Sequence, residues 1–281
     1  MKGERSAASI RRRKAFALTW RLLLGILFLS PLIVGLVFSF EPDSGLVTLP
    51  PLPKLIEDLT VTNYEWIFAN VPILRYSLNS LAVCAIVIGA QLVVASLSAY
   101  AFSFFEFRGK KFFFTVILIA MMIPGQVTTI ANFLFAQKIN LVNTHIGLAM
   151  PYLISGAAVF MLRQYYMTIP RELKSAADID GCSDMRFLFQ IIIPNSVPTL
   201  ISLGIYLFVD TYNQYLWPML VAQKQNMFTA QIGMNMLVTA DERQYGRILA
   251  GAMVSLMIPM VAFIIGQDYM IKGMADGALK E

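Results

Sequence analysis

Apolar runs long enough to cross a bilayer recur along this chain, and they constrain it more than any other feature. They cover Phe16–Phe40, Tyr76–Phe105, Phe112–Phe135, Ile146–Met167, the stretch after Pro194 to about Val221, and Arg247–Met270. Each is about 20 residues or longer, the length an α-helix needs to span a hydrocarbon core roughly 30 Å thick. Only 14% of the residues are charged, against about 25% in a soluble domain, and the deficit falls in these runs. The chain therefore reads as an all-α membrane protein with six transmembrane helices. Its net charge of +5 reflects Lys and Arg kept in cytoplasmic loops, not nucleic-acid binding.

The division that follows is a polar tail, 1–15, a first span, 16–40, a core of five helices, 76–270, and a tail, 271–281. The first span is too long for the apolar core of a cleaved secretory signal. Residues 41–75 form a Pro-rich acidic loop whose end, 61–68, patterns as a short amphipathic helix on the outer surface. Pro124-Gly125 predicts a kink or break in the third span, Pro151, Pro198 and Pro259 fall in the later spans, and 222–246 reads as a polar outer loop. With the N-terminus inside, fifteen Lys and Arg lie on cytoplasmic segments and six on outer ones. That asymmetry predicts an N-in, C-in topology.

The longest internal polar segment, 168–194, then lies in the cytoplasm between the fourth and fifth spans. Its first half has the grammar of a helix. Pro170 suits a first helical position and Glu172 the first turn, while Leu173, Ala176, Ala177 and Asp180 share one face. Gly181 is a natural stop. The second half restarts with Ser183 as N-cap and Asp184 in the first turn, then repeats apolar residues at Met185, Leu188, Phe189 and Ile192. On pattern alone this is either an interfacial helix pair lying on the inner leaflet or a docking surface for a cytoplasmic protein.

A second cluster sits in the fifth span: Asp210, Tyr212, Asn213, Gln214, Tyr215 and Trp217. Polar groups inside a membrane are costly and face a cavity or a partner, and amides beside aromatic faces suit a sugar. The same residues also fit an interfacial aromatic belt at the outer end of the span. We read them as lining a substrate path. One His and two distant Cys make no metal site, and no His/Asp/Glu constellation points to catalysis. No G-x-x-x-x-G-K-[ST] phosphate loop occurs, so any ATP must be hydrolysed on another chain. An ion-coupled secondary transporter would want paired intramembrane acids or bases, for which only Asp210 is a candidate.

Ser175-Ala176-Ala177, Gly181 and Ile191-Ile192-Ile193-Pro194 resemble the EAA motif of ABC-importer permeases, E-A-A, three residues, G, nine residues, I-x-L-P. Asp180 fits the sugar-importer branch. Ser175 stands where the motif has glutamate, with Glu172 one turn earlier, and Ile193 where it has leucine. Met122–Gln126, Tyr212–Pro218 and Ile271–Met274 are similar to the smaller permease of the maltose-type carbohydrate importers, and Asn213-Gln214 with Trp217-Pro218 to the glycerol-3-phosphate branch. The resemblance implies the transmembrane domain fold of a type I ABC importer in the cytoplasmic membrane of a bacterium. It implies coupling to an ATPase through Glu172, Ser175, Ala176, Ala177, Asp180, Gly181, Ile191 and Pro194. It implies a second homologous permease, two cytoplasmic ATPase subunits holding ATP and Mg, and an extracytoplasmic solute-binding protein, with no cofactor on this chain. Few basic residues border the spans, which puts neutral sugars ahead of a glycerophosphate.

Overall fold

The computed structural model describes residues 2–42, 59–240 and 244–278. All regular structure among them is helical. In chain order the elements are α1 (Lys2–Ser39), α2 (Thr62–Asn70), α3 (Ile73–Phe104), α4 (Lys110–Met121), α5 (Gly125–Lys138), α6 (His145–Ala149), α7 (Gly156–Tyr166), α8 (Arg171–Ile179), α9 (Asp184–Asn195), α10 (Val197–Tyr212), α11 (Leu216–Val221), α12 (Ala230–Ala240) and α13 (Tyr245–Ala278).

Among the described residues, three continuous helices are long and apolar enough to cross a membrane: Phe16–Ser39, Ile73–Phe104 and Tyr245–Tyr269. Three more candidates are bent pairs, α4 with α5 at 94°, His145–Tyr152 with α7 at 56°, and α9 with α10 at 76°. Counting each pair as one span gives six. The break after α4 falls where Pro124 takes an extended ψ of 127°, because proline lacks an N–H and disfavours helical geometry in the residue before it.

Several elements differ from the sequence reading. Helix α1 starts at Lys2, so the helix includes most of the segment taken as a polar tail. Helix α13 continues to Ala278, into the segment taken as the C-terminal tail. The fifth span stops at Tyr212 and restarts as the short α11. The outer segment 222–246 holds a helix, α12, whose apolar periodicity the polar flanks obscure. The Pro-rich stretch 43–58 lies outside the described residues.

The chain divides into two compact units, Met1–Val71 with Leu237–Val254, and Pro72–Met236 with Ser255–Glu281. In the first, the buried Asn63 ties α2 to the end of α1 by donating to the carbonyls of Ser39 at 3.0 Å and Glu41 at 2.7 Å. Gly246 lies so close to Asn63 that a Cβ there would approach its amide nitrogen to 2.5 Å.

The second unit is built around α3. Its buried face mixes small or polar residues, Ser77, Ser80, Cys84, Gln91, Ala95, Ser96 and Ala99, with larger ones such as Tyr76, Val83, Val87 and Tyr100, while Leu74, Leu78, Val93 and Leu97 face outward. Outward apolar residues suit a lipid surround, and small residues on the buried face let helices approach closely. The core continues into Leu162 and Tyr166 of α7, Phe187, Leu188 and Ile192 of α9, and Leu203 and Leu207 of α10.

Candidate functional site

Two places in the second unit collect the residues singled out above. The first is the 168–194 loop. Pro170 is the residue before α8, and Glu172 lies in its first turn. Asp180 ends the helix and Gly181 takes φ +69°, the left-handed region that glycine enters freely. Ser183 caps α9, its Oγ accepting from the Arg186 N–H at 3.4 Å. Helix α9 then widens into a π-turn at Leu188–Ile192, and Pro194 lies in its last turn, before the bend at the buried Ser196.

The loop has an anchored face and a free one. Phe187, Leu188 and Ile192 are buried, and Ile191 packs beside them. Phe187 lies edge-on to Phe104 at 5.7 Å and 6.3 Å from Tyr100. The repeat expected at Met185, Leu188, Phe189 and Ile192 is therefore split, with Met185 and Phe189 each 58% exposed. The π-turn inserts an extra residue and rotates the buried set. In α8 only Ala177 turns inward, at 5% exposed, while Ile179 is 87% exposed. Glu172, Ser175, Ala176, Asp180 and Gly181 are all exposed. Nothing lies within 4 Å of where a Gly181 Cβ would stand.

Lys174 brackets the two helices. Its ammonium pairs with Asp178 in its own helix and with Asp184 across the turn at 2.9 Å, above the Phe187 ring. The hydrogen bonds it donates to Asp178 and then Asp184 raise its pKa, because both favour the charged form.

The second place is a cavity of about 320 Å³. It forms where three spans are interrupted: at the start of α5, at the turn Met150–Tyr152 after α6, and at Asn213–Tyr215 after α10. Backbone freed from helices is tolerated at membrane depth only where it lines a cavity or is buried in protein. The polar groups facing this one are Gln126, Thr128, Thr129, Asn132, Tyr152 and Gln214. None carries a charge. The Tyr152 hydroxyl donates to Gln214 Oε1 at 3.0 Å, and Gln91 Nε2 donates to the Tyr152 carbonyl at 2.6 Å. The first bond ties two of the interrupted segments together, and the second ties one of them to α3.

Of the six path candidates, Gln214 and Trp217 line this cavity. Trp217 is itself buried, its indole N–H shared between the carbonyls of Gly147 and Leu148, each at 3.1 Å. Tyr212 is buried elsewhere, donating to the Ser255 carbonyl at 2.9 Å and packing with Cys84 and Ala230. Asp210 and Asn213 are exposed. Tyr215 donates to Asn235 of α12 at 2.9 Å, and Gln231 of the same helix donates to Asn213 at 3.3 Å. Sequence reasoning does not single out Thr128, Thr129, Asn132 or Tyr152. The available signal was their placement just after the proline-marked interruptions at Pro124 and Pro151.

Comparison with known proteins agrees with this architecture. Residues 91–274 match the family described as binding-protein-dependent transport system inner membrane component. The chain is 31% identical over 281 residues to the arabinooligosaccharides transport system permease protein AraQ of Halalkalibacterium halodurans, covering 96% of this chain and 100% of that one. It is also 31% identical over 263 residues to the sn-glycerol-3-phosphate transport system permease protein UgpE of Yersinia pestis, covering 91% and 94%. Among solved structures it resembles a bacterial ABC transporter involved in import of the acidic polysaccharide alginate. That match has a TM-score of 0.77 at 19% identity and covers 91% of this chain and 96% of the other. The fold is that of a type I ABC importer transmembrane domain. The matched region, the shared fold and the interrupted spans together show that this multi-pass inner-membrane chain belongs to the binding-protein-dependent transport system inner membrane component family.

Proposed function

We propose that this chain is the permease subunit of an ABC importer carrying a neutral carbohydrate inward, driven by ATP hydrolysis on separate ATPase subunits. The observation that carries the substrate class is the cavity at the three interruptions, whose amides, hydroxyls and indole include no charged side chain. A sugar's hydroxyls are satisfied by such neutral donors and acceptors, with an aromatic face for stacking, whereas a phosphate would draw Arg or Lys to the lining. The name of AraQ points the same way.

The assembly pairs this chain with a second homologous permease, two cytoplasmic ATPases and an extracytoplasmic solute-binding protein. Coupling runs through the free face of the loop, where Glu172, Ser175, Ala176, Asp180 and Gly181 stand exposed. Glu172 and Ser175 are three residues apart and share a helix face, so Glu172 supplies the carboxylate that Ser175 lacks. Ala177 and Ile191 hold the loop's shape from the core side, and the exposed Pro194 shapes the last turn of α9.

A second reading, import of glycerol 3-phosphate, is favoured by the similarity to UgpE. The test is uptake in proteoliposomes containing the co-expressed permease pair, ATPase and binding protein. ATP-dependent uptake of a neutral sugar, undiminished by excess glycerol 3-phosphate, is the expected result. Uptake of the glycerophosphate alone selects the second reading. Uptake driven by an ion gradient without the ATPase defeats both.

A further inference from the structure

A second and larger cleft, about 670 Å³, opens beside the loop end of the bundle, between the turn before α4 and the last turn of α7. Lys110, Lys111 and Arg163 line it together with Glu106, and Phe112 and Phe114 form an apolar wall. The lining carries a surplus of positive charge. Lys110 pairs with Glu106 at 3.0 Å, and Arg171 of the loop reaches the same carboxylate at 4.0 Å. Arg163 lies over the Phe114 ring at 4.1 Å and donates through Nε to the Phe102 carbonyl at 3.4 Å. Among the described residues, neither Arg163 nor Lys111 has a carboxylate at ion-pair distance.

The Phe114 ring and the Phe102 carbonyl hold the guanidinium in place through its face and one N–H, leaving its terminal N–H groups for a ligand. Next to this cation pair, α4 exposes Phe112, Phe113, Val116 and Ile119. Cations at the foot of an apolar helix face match an amphiphile with an anionic head and an acyl tail. A soluble anion would have no use for the apolar part.

We propose that this cleft is a binding site for an anionic phospholipid of the inner leaflet, with the headgroup phosphate held by Lys111 and Arg163 and the acyl chains lying along Phe112, Phe113, Val116 and Ile119. The proposal concerns a lipid, and it does not depend on which solute is transported. Lys110 contributes by neutralising Glu106, which would otherwise repel the phosphate.

The test is lipid retention by the assembled transporter, purified from membranes of mixed phosphatidylglycerol and phosphatidylethanolamine and read by native mass spectrometry. The wild type should retain phosphatidylglycerol in preference. The variant Lys111→Gln should lose about fivefold of that preference, and the double variant Lys111→Gln, Arg163→Gln on the order of tenfold or more, since each juxtamembrane cation contributes a comparable factor. Lys111 lies on the surface, so its single variant keeps the test valid should Arg163→Gln fail to assemble.

Arg108 is exposed and adjacent but does not line the cleft, so Arg108→Gln should retain lipid as the wild type does. Equal losses in Arg108→Gln and Lys111→Gln would mean diffuse attraction to the leaflet and overturn the site. Equal retention of the two lipids by the wild type would also overturn it. So would displacement of the lipid by millimolar inorganic phosphate, which would make the occupant a soluble anion.

Discussion

The polar cavity and the 168–194 loop solve opposite problems within one unit. At the cavity, uncharged groups bond to one another, Tyr152 to Gln214 across two interrupted spans and Gln91 of α3 to the Tyr152 carbonyl. In the loop, charge is concentrated in the bracket of Lys174 with Asp178 and Asp184, and a face of mixed polar, small and apolar residues is left exposed. A low-dielectric site favours neutral partners, because a stranded charge there is expensive. A solvent-facing loop tolerates charge and can offer a surface to another protein. Under the proposed function, the difference assigns solute recognition to the interruptions and protein recognition to the loop.

The largest expected effect tests whether the loop's buried side is a true anchor. Phe187 is fully buried between Tyr100, Phe104 and Lys174. Phe187→Ala should cost about 3–5 kcal/mol, seen as a lower midpoint of thermal unfolding in detergent and as reduced yield. Phe189, on the free side, should tolerate alanine with little change in that midpoint, so equal losses at both positions would erase the two-faced description.

Next comes the cavity. Trp217→Phe removes the N–H shared by the Gly147 and Leu148 carbonyls and should cost about 1–3 kcal/mol of stability. Asn132→Ala keeps the fold and removes one neutral hydrogen-bonding group from the lining. Its apparent KM for uptake should rise about fivefold, the worth of one net hydrogen bond, with ATPase activity at saturating substrate unchanged. A variant that lowers ATP hydrolysis and leaves KM alone would move the cavity out of the solute path.

The smallest effect belongs to the Lys174 bracket, worth about 1 kcal/mol or less because its partner carboxylates are exposed. Lys174→Met should speed amide exchange in α8 while leaving α3 unchanged. The folded pKa of Lys174 is raised, so its stabilisation is fully present below the unfolded value, about 10.4, and is lost only as the pH climbs through the folded one. Exchange in the wild-type α8, corrected for intrinsic rate, should show no opening between pH 7 and pH 9. Opening in that window would contradict the ion-pair assignment.

Much of this was legible beforehand. Hydropathy located the apolar runs, Pro124-Gly125 marked a real break, and the helix–glycine–helix order of the loop follows from Pro170, Gly181 and Ser183. Four things were not legible. The π-turn at Leu188–Ile192 shifts which residues are buried, and no simple period announces it. The stop at Tyr212 has no proline or glycine close by, the nearest being Gly204 and Pro218. The cavity depends on interruptions far apart in sequence meeting in space, so Thr128 and Tyr152 looked like ordinary span residues. Helix α12 was hidden because a short apolar helix between polar flanks resembles a loop in composition.

The most direct test of the central claim, that the loop's free face carries coupling, is the ratio of solute imported to ATP hydrolysed by the assembled transporter carrying Gly181→Asp. Aspartate and asparagine are among the residues that best tolerate a left-handed φ, and the site has room for a side chain. The change therefore alters the surface more than the backbone, and Gly181→Asn controls for the backbone. The account predicts that Gly181→Asp inserts at wild-type levels while its ratio falls about tenfold or more, the size of losing a central interface contact, with Gly181→Asn affected less. A wild-type ratio in Gly181→Asp would contradict it.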